Sequence, residues 1–275
     1  MKEKQKAINI LFFVIACFVA FIMLIPFAWM VSASFKPRTE IFTTPIKWIP
    51  DYLYLGNYET IMEEIPFMLY FLNTAKITIC VTFLQVLTCS MAAYAFSKLH
   101  FPGRDTLFLA YLGTMMVPWH AIMIPQFIVI RNLNLYDTHW ALILTGAFSV
   151  FGVFILRQNM ISIPDSLTDA AKIDGCGPFG IYTKIVLPLT KTGLTTLIVL
   201  TFNSVWNDYM GPMIYLDTDT KKTIQLGLAT FKRQYDADYG AIMAGTVISL
   251  IPVVIVYAIG QKYIVEGIAY TGVKG

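Results

Sequence analysis

Between residues 203 and 209 the chain reads Asn203-Ser204-Val205-Trp206-Asn207-Asp208-Tyr209, inside an otherwise apolar stretch. A charged side chain at the middle of a bilayer-spanning helix costs about 2.5–3.5 kcal/mol on insertion scales, so polar residues placed there must meet protein or water. Asn203 and Asn207 are four apart and share a helix face, and Pro212 frees a backbone carbonyl as a further acceptor. Amide and carboxylate groups beside aromatic faces suit a hydroxylated solute, and Trp206, Tyr209, Trp119 and His120 fall at similar depth. The candidate solute-path residues are therefore Asn203, Trp206, Asn207, Asp208 and Trp119. A second role stays open: the asparagines bond neighbouring helices, at about 0.6 kcal/mol each, with Asp208 against another subunit. His120, between Pro118 and Pro125, suits a structural position, and those prolines predict a bend lining a cavity, because irregular backbone at depth needs protein or water.

These residues sit in a chain that is 57% apolar and 13% charged, with mean hydropathy +0.64. Soluble globular chains carry about 45–50% apolar and about 25% charged residues. A bilayer core about 30 Å thick needs about 20 apolar residues per helix, and several runs here reach that length. The expected spans are residues 7–31, 71–96, 106–130, 139–156, 193–216 and 240–263, forming one all-α transmembrane domain over residues 1–275. Lys2, Lys4 and Lys6 precede the first run, which is longer than a signal-peptide core of about 7–15 residues and reads as a retained span with a cytoplasmic start. Cys17, Cys80, Cys89 and Cys176 lack metal-ligand spacing and read as small apolar side chains. The net charge of +3 is spread along the chain and suggests no nucleic acid.

Six spans put both termini in the cytoplasm of a cell or inner membrane, together with the loop at 157–192. Eleven Lys and Arg then lie inside and eight outside, a modest positive-inside bias. Trp29, Trp48 and Trp140 fall near the outer boundaries, as an aromatic belt would place them.

The most informative segment is 163–194, IPDSLTDAAKIDGCGPFGIYTKIVLPLTKTGL. Ser162 and Asp165 have the spacing of a capping box, and Leu167, Ala170 and Ala171 recur at helical intervals. The spacing predicts a short helix to about Ile173, ended by Asp174-Gly175. Gly177-Pro178 should open a second helix with Phe179, Tyr182, Ile185 and Val186 on its apolar side, stopped before Pro188. Small residues at the bend allow another surface to come close, so the hairpin reads as a docking element. It holds no nucleophile with a base, no metal cluster and no phosphate-binding glycine loop. No P-loop occurs anywhere in the chain, so it offers no such phosphate cradle for ATP.

This segment resembles the EAA loop of ATP-binding-cassette importer permeases, patterned E-A-A-x-x-x-D-G-A and then L-P-L. Asp169-Ala170-Ala171, Asp174-Gly175-Cys176 and Leu187-Pro188-Leu189 occupy those positions, with Asp169 for Glu, Cys176 for Ala and Thr192 for a frequent Pro. The resemblance implies a six-span type I importer permease fold and a coupling role for Asp169, Ala170, Ala171, Asp174, Gly175, Cys176, Phe179, Leu187 and Pro188 against a cytosolic ATPase.

Ser34-Phe35-Lys36-Pro37, Ala93-Tyr94-Ala95-Phe96, Phe101-Pro102-Gly103-Arg104, Trp206-Asn207-Asp208 and Gly272-Val273-Lys274-Gly275 make the chain most similar to carbohydrate-uptake permeases, the smaller partner of the maltose-type pair. That resemblance implies a second permease, two ATPase subunits that hold ATP and Mg, an external solute-binding protein, a sugar substrate and surrounding membrane lipid. This chain would itself bind no cofactor and no metal, and would not be an enzyme. It implies binding-protein contact through Lys232, Gln234, Tyr235 and Asp236, and ATPase contact through the tail, Thr271, Gly272, Val273, Lys274 and Gly275. The alternatives weighed beside it are an importer permease for a non-sugar solute, a secondary transporter using Asp208 as a proton site, and a membrane scaffold.

Overall fold

The computed structural model describes residues 2–232 and 237–272. Gln234, Tyr235, Asp236, Val273, Lys274 and Gly275 lie outside the described residues. The regular structure of the described residues is helical apart from an isolated antiparallel bridge between Lys232 and Ala237. In order, the helices are α1 Lys2–Ser34, α2 Gly56–Glu64, α3 Phe67–Lys98, α4 Arg104–Gly113, α5 Trp119–Asn132, α6 His139–Thr145 and α7 Val150–Ile161. There follow α8 Asp165–Ile173, α9 Pro178–Leu189, α10 Lys191–Trp206, α11 Met210–Tyr215, α12 Ile224–Thr230 and α13 Tyr239–Gly272.

Among the described residues, α1, α3 and α13 contain stretches long and apolar enough to cross a membrane alone. Three bent pairs pass the same test together: α4 with α5 at 97°, α6 with α7 at 41°, and α9 with α10 at 77°. The sequence expects single runs at 106–130 and 139–156, and the chain breaks both. Val117 precedes Pro118, whose ring disfavours a helical residue before it, and Val117 is extended at φ −82°, ψ 113°. In the other run Gly146 ends α6, and Ser149 starts α7 by accepting the Gly152 N–H at 3.1 Å. The expected span 193–216 likewise stops at Trp206, and the chain turns before α11.

The chain divides into two compact units, where the sequence reading expects one domain. The smaller comprises Met1–Phe67 and Gly227–Leu250. Its polar centre is Asn57, which is buried and donates to the carbonyls of Ser34 at 2.9 Å and Lys36 at 2.8 Å. Lys36 is also buried, donates to the Lys47 carbonyl and lies 4.5 Å from the Trp29 ring centroid; burial pulls its pKa down. The string Ser34-Phe35-Lys36 thus turns the chain out of α1 with its carbonyls satisfied. Gly245 packs closely here: a Cβ there would fall 2.3 Å from Ile61 Cδ1, so that side chain would have to shift.

The larger unit, Met68–Leu226 and Ile251–Gly275, carries both candidate sites. One apolar core gathers Cys89, Ala93 and Tyr94 of α3, Phe108 of α4, Val153, Leu156 and Met160 of α7, and Ala171, Ile181, Tyr182 and Val186 of the hairpin. A second gathers Ile77 and Val81 of α3 with Ile130, Leu142, Ile143 and Tyr215. The first core holds the hairpin and the second walls a cavity.

Candidate functional site: an exposed hairpin and a cavity

Helix α8 runs over the expected residues, but its start differs from the capping box read in the sequence. Pro164 is the N-cap and offers no side-chain acceptor, while Ser162 Oγ donates backwards to the Asn159 carbonyl at 2.7 Å. Asp165 turns away to Lys98, whose Nζ donates to Asp165 Oδ1 at 2.7 Å and to the Ile163 carbonyl at 2.6 Å. This bond holds the Asp165 carboxyl below its ordinary pKa. The Lys98 side chain is only 3% exposed.

The bend follows the prediction. The Asp174 N–H reaches the Ala170 carbonyl at 3.0 Å, the Gly175 N–H reaches Lys172 at 3.0 Å, and the Cys176 N–H reaches Ala171 at 2.9 Å. Gly175 has φ +81°, the left-handed region where other L-residues are strained. A Cβ at Gly175 would meet no atom of this chain within 4 Å.

Helix α9 differs in its end. It passes through Pro188 to Leu189, because residues Tyr182–Val186 form a π turn, widening the coil where the proline ring would meet a preceding carbonyl. Thr190 closes it, its hydroxyl donating to the Val186 carbonyl at 2.6 Å. The inward face also differs: Ile181, Tyr182 and Val186 are buried, each worth about 1.5–3 kcal/mol of apolar transfer, while Phe179 is 71% exposed. In α8 the inward residues are Thr168 and Ala171, and Leu167 and Ala170 face out. Asp169 is exposed and paired with Lys172 at 2.8 Å, raising the lysine's pKa. Asp174 and Pro188 are also exposed, and Cys176 and Leu187 half-buried. The hairpin thus shows Ile173, 87% exposed, and Phe179 on either side of the bend. Sequence periodicity assigned Phe179 inward and passed over Ile173; the only local signal for it is an apolar residue directly before Asp-Gly.

Three side chains of α3 hold this hairpin. Ser90 Oγ and the Tyr182 hydroxyl are 2.8 Å apart, the Tyr94 hydroxyl donates to the Pro178 carbonyl at 2.9 Å, and Lys98 binds the start of α8 as described. The three residues are spaced four apart and share one face of α3.

The second site is a cavity of about 510 Å³ bordered by Trp119, His120 and Gln126 of α5, Thr145 of α6, Ser204 of α10, and Asp208, Tyr215 and Thr223. The break at Pro118 creates the α5 wall, and Trp119 Nε1 donates to Gln126 Oε1 at 3.0 Å, fixing the indole. Asp208 Oδ1 accepts the Gly211 N–H at 3.1 Å and so starts α11. The hydroxyls of Tyr215 and Thr223 are buried and have no hydrogen-bond partner among the described residues. Those two hydroxyls sit behind the cavity wall; the groups at the border, the Gln126 amide, the Asp208 carboxylate, the Ser204 hydroxyl and the Trp119 indole, can receive a hydroxylated ligand.

Of the predicted path residues, Trp119 and Asp208 border this cavity and Asn203 and Asn207 do not. The two asparagines share an exposed face, Asn207 Nδ2 donating to the Asn203 carbonyl at 2.9 Å and to Asn203 Oδ1 at 3.1 Å, while Gln225 Nε2 donates to Asn207 Oδ1 at 3.3 Å. Trp206 corrects the sequence reading: it is 2% exposed, stacked on Phe202 at 5.4 Å and edge-on to Phe71 at 5.3 Å, so it packs the helices and offers no open face. Gln126, Tyr215 and Thr223 carry no sequence signal, because only tertiary folding brings them to one place.

Asp137 ties two loops together. Its carboxylate accepts from Lys221 Nζ at 2.7 Å, the Thr218 hydroxyl at 2.6 Å and the N–H groups of Asp217 and Thr218. Lys221 foremost, with Thr218, holds its pKa far below the usual carboxylate range. Lys232 lies at the isolated bridge, and Thr271 and Gly272 close α13.

Residues 85–270 match the family described as the binding-protein-dependent transport system inner membrane component. The arabinooligosaccharides transport system permease protein AraQ of Halalkalibacterium halodurans is 35% identical over 261 residues, covering 94% of each chain. The lactose transport system permease protein LacG of Rhizobium radiobacter is 31% identical over 248 residues, covering 90% of each. The fold superposes with TM-score 0.82 and 25% identity on a chain in the crystal structure of a bacterial ABC transporter involved in import of the acidic polysaccharide alginate, covering 95% of this chain and 98% of that one.

Proposed function

Since this chain belongs to the family of binding-protein-dependent transport system inner membrane components, we propose that it is the permease subunit of an ATP-driven importer of an oligosaccharide. In this reading α1, α3 and α13 and the three bent pairs make six spans of a type I importer permease in the cell or inner membrane, with both termini and the α8–α9 hairpin in the cytoplasm. A second permease completes the translocation path. Two cytosolic ATPase subunits hold ATP and Mg, and this chain contributes transport rather than catalysis. A solute-binding protein delivers the sugar from outside, toward the segment that includes Lys232 and the loop tied by Asp137.

The observation that carries the coupling role is the bend itself: Gly175 at φ +81° with no atom of this chain near its missing Cβ, flanked by the exposed Ile173 and Phe179. Apolar side chains presented beside a side-chain-free turn suit a cleft on another protein. The oligosaccharide assignment is supported by the relatives' substrates and by the hydroxyl-bearing cavity. There Trp119 offers an aromatic face, while Gln126, Ser204 and Asp208 offer polar partners, and Asn203 and Asn207 line a separate polar strip suited to the shared path.

The test is uptake into vesicles carrying the whole complex, using labelled arabinotriose, lactose and other oligosaccharides, with and without internal ATP. The reading expects one oligosaccharide to enter only with ATP. Uptake that persists without ATP and collapses with an uncoupler would establish a proton-coupled carrier instead.

A further inference from the structure

Helix α3 reaches the hairpin at three points, and each bond goes to a different part of it. Lys98 binds Ile163, two residues before α8, and Asp165, the first residue of α8; Tyr94 binds the first residue of α9, and Ser90 binds Tyr182 one turn further along α9. All three residues, Ser90, Tyr94 and Lys98, are less than a tenth exposed. Between these points the rings of Tyr94 and Tyr182 lie 5.3 Å apart, and Tyr182 is 6.0 Å from exposed Phe179. Arg157, at the end of α7, adds a brace by donating to the Phe96 carbonyl at 3.1 Å.

A hairpin joined to its neighbours only through α7 and α10 would be free to pivot about the turns at residues 162–164 and at Thr190. Bonds to both of its helices from one rigid helix remove that pivot, because two fixed points on α9 and one on α8 define a plane. We propose that Ser90, Tyr94 and Lys98 are a three-point mount that makes the hairpin and α3 one mechanical body, so that displacement of the hairpin is delivered to α3. These are positioning residues: none of them reaches the exposed face on which Ile173 and Phe179 lie. The inference rests on the docking role proposed for the hairpin. It adds which span receives the motion and through which atoms.

The test uses the full complex with Cys17, Cys80, Cys89 and Cys176 replaced, and spin labels at Ser166 of the hairpin and Met91 of α3, both exposed. Pulsed electron resonance reads the distance between them in nucleotide-free and ATP–vanadate-trapped complexes. With the mount intact the distance stays within about 2 Å between the two states, the scale of an ordinary helix adjustment. In Tyr94→Phe combined with Lys98→Met the distribution broadens and shifts by more than that on trapping, while Lys98→Arg, which keeps the charge and the donors, retains the narrow distribution. Tyr94→Phe alone removes a single oxygen and serves if the double variant fails to assemble. A wild-type distance that shifts as much as the variant's, or variants with the wild-type distribution in both states, would overturn the mount. Cross-linking from Ile173 to the ATPase subunit, read on the same samples, separates the two ideas: its loss in the wild type overturns docking, whatever the distance shows.

Discussion

Gly175 allows backbone conformation and close approach to be separated by substitution. Its φ of +81° costs a residue with a Cβ about 1–2 kcal/mol, whereas nothing in this chain lies within 4 Å of the position a Cβ would take. Gly175→Ala should therefore lower the stability of the isolated permease by about 1–2 kcal/mol, entirely from strain. Gly175→Asn should cost less, because asparagine tolerates the left-handed region. If glycine served the turn alone, asparagine would restore function as it restores stability. If a partner surface approaches the bend, the asparagine side chain stands in its way, and coupling is lost in a permease that remains folded. The assay pairs thermal unfolding of the permease with sugar transported per ATP hydrolysed by the complex. Gly175→Asn with wild-type stability and wild-type transport per ATP would refute the close-approach argument.

Other outcomes follow from the same packing. Asn57→Ala strands two buried carbonyls, those of Ser34 and Lys36, and should destabilise the smaller unit by about 1–3 kcal/mol, read by thermal unfolding. Thr223→Val replaces a buried hydroxyl that has no partner among the described residues, so stability should hold or rise slightly in thermal unfolding; a loss of more than about 1 kcal/mol would show that the hydroxyl is bonded. The Asp137 latch involves a carboxylate with depressed pKa, so its contribution is present above the ordinary carboxylate value of about 3.9 and lost only as pH falls through the lower folded value. Hydrogen exchange in residues 217–223 should therefore show no loosening of the latch between pH 7 and pH 5, and Asp137→Ala should speed exchange there across that whole range.

Local chemistry made the hairpin legible. A glycine after the last helical residue, a proline at the first position of the next helix and helical spacing between them located α8 and the bend within a residue or two. Pro118 announced the break between α4 and α5 for the same reason: a proline restricts its own neighbour. What stayed hidden depends on the third dimension. The π turn before Pro188 let α9 continue where proline alone predicts a stop, and packing into the core buries Ile181 while Phe179 stays outside. Trp206 shares its stretch of sequence with Asn207, yet packing against Phe71 and Phe202 takes it out of any path. Gln126, Tyr215 and Thr223 meet only because α5 is folded back at 97° to α4. The sequence marked Ala93-Tyr94-Ala95-Phe96 as a family string, and the structure supplies a physical use for Tyr94 in the bond to Pro178.

The central claim is that the exposed face beside Gly175 meets the ATPase subunit. It is tested most directly by placing a photo-reactive side chain at Ile173, which is 87% exposed, and irradiating the complete complex in its membrane. One dominant adduct should form between this permease and the ATPase, changing in yield when ATP and vanadate are added. Adducts to lipid or to the second permease alone, unaltered by nucleotide, would contradict it.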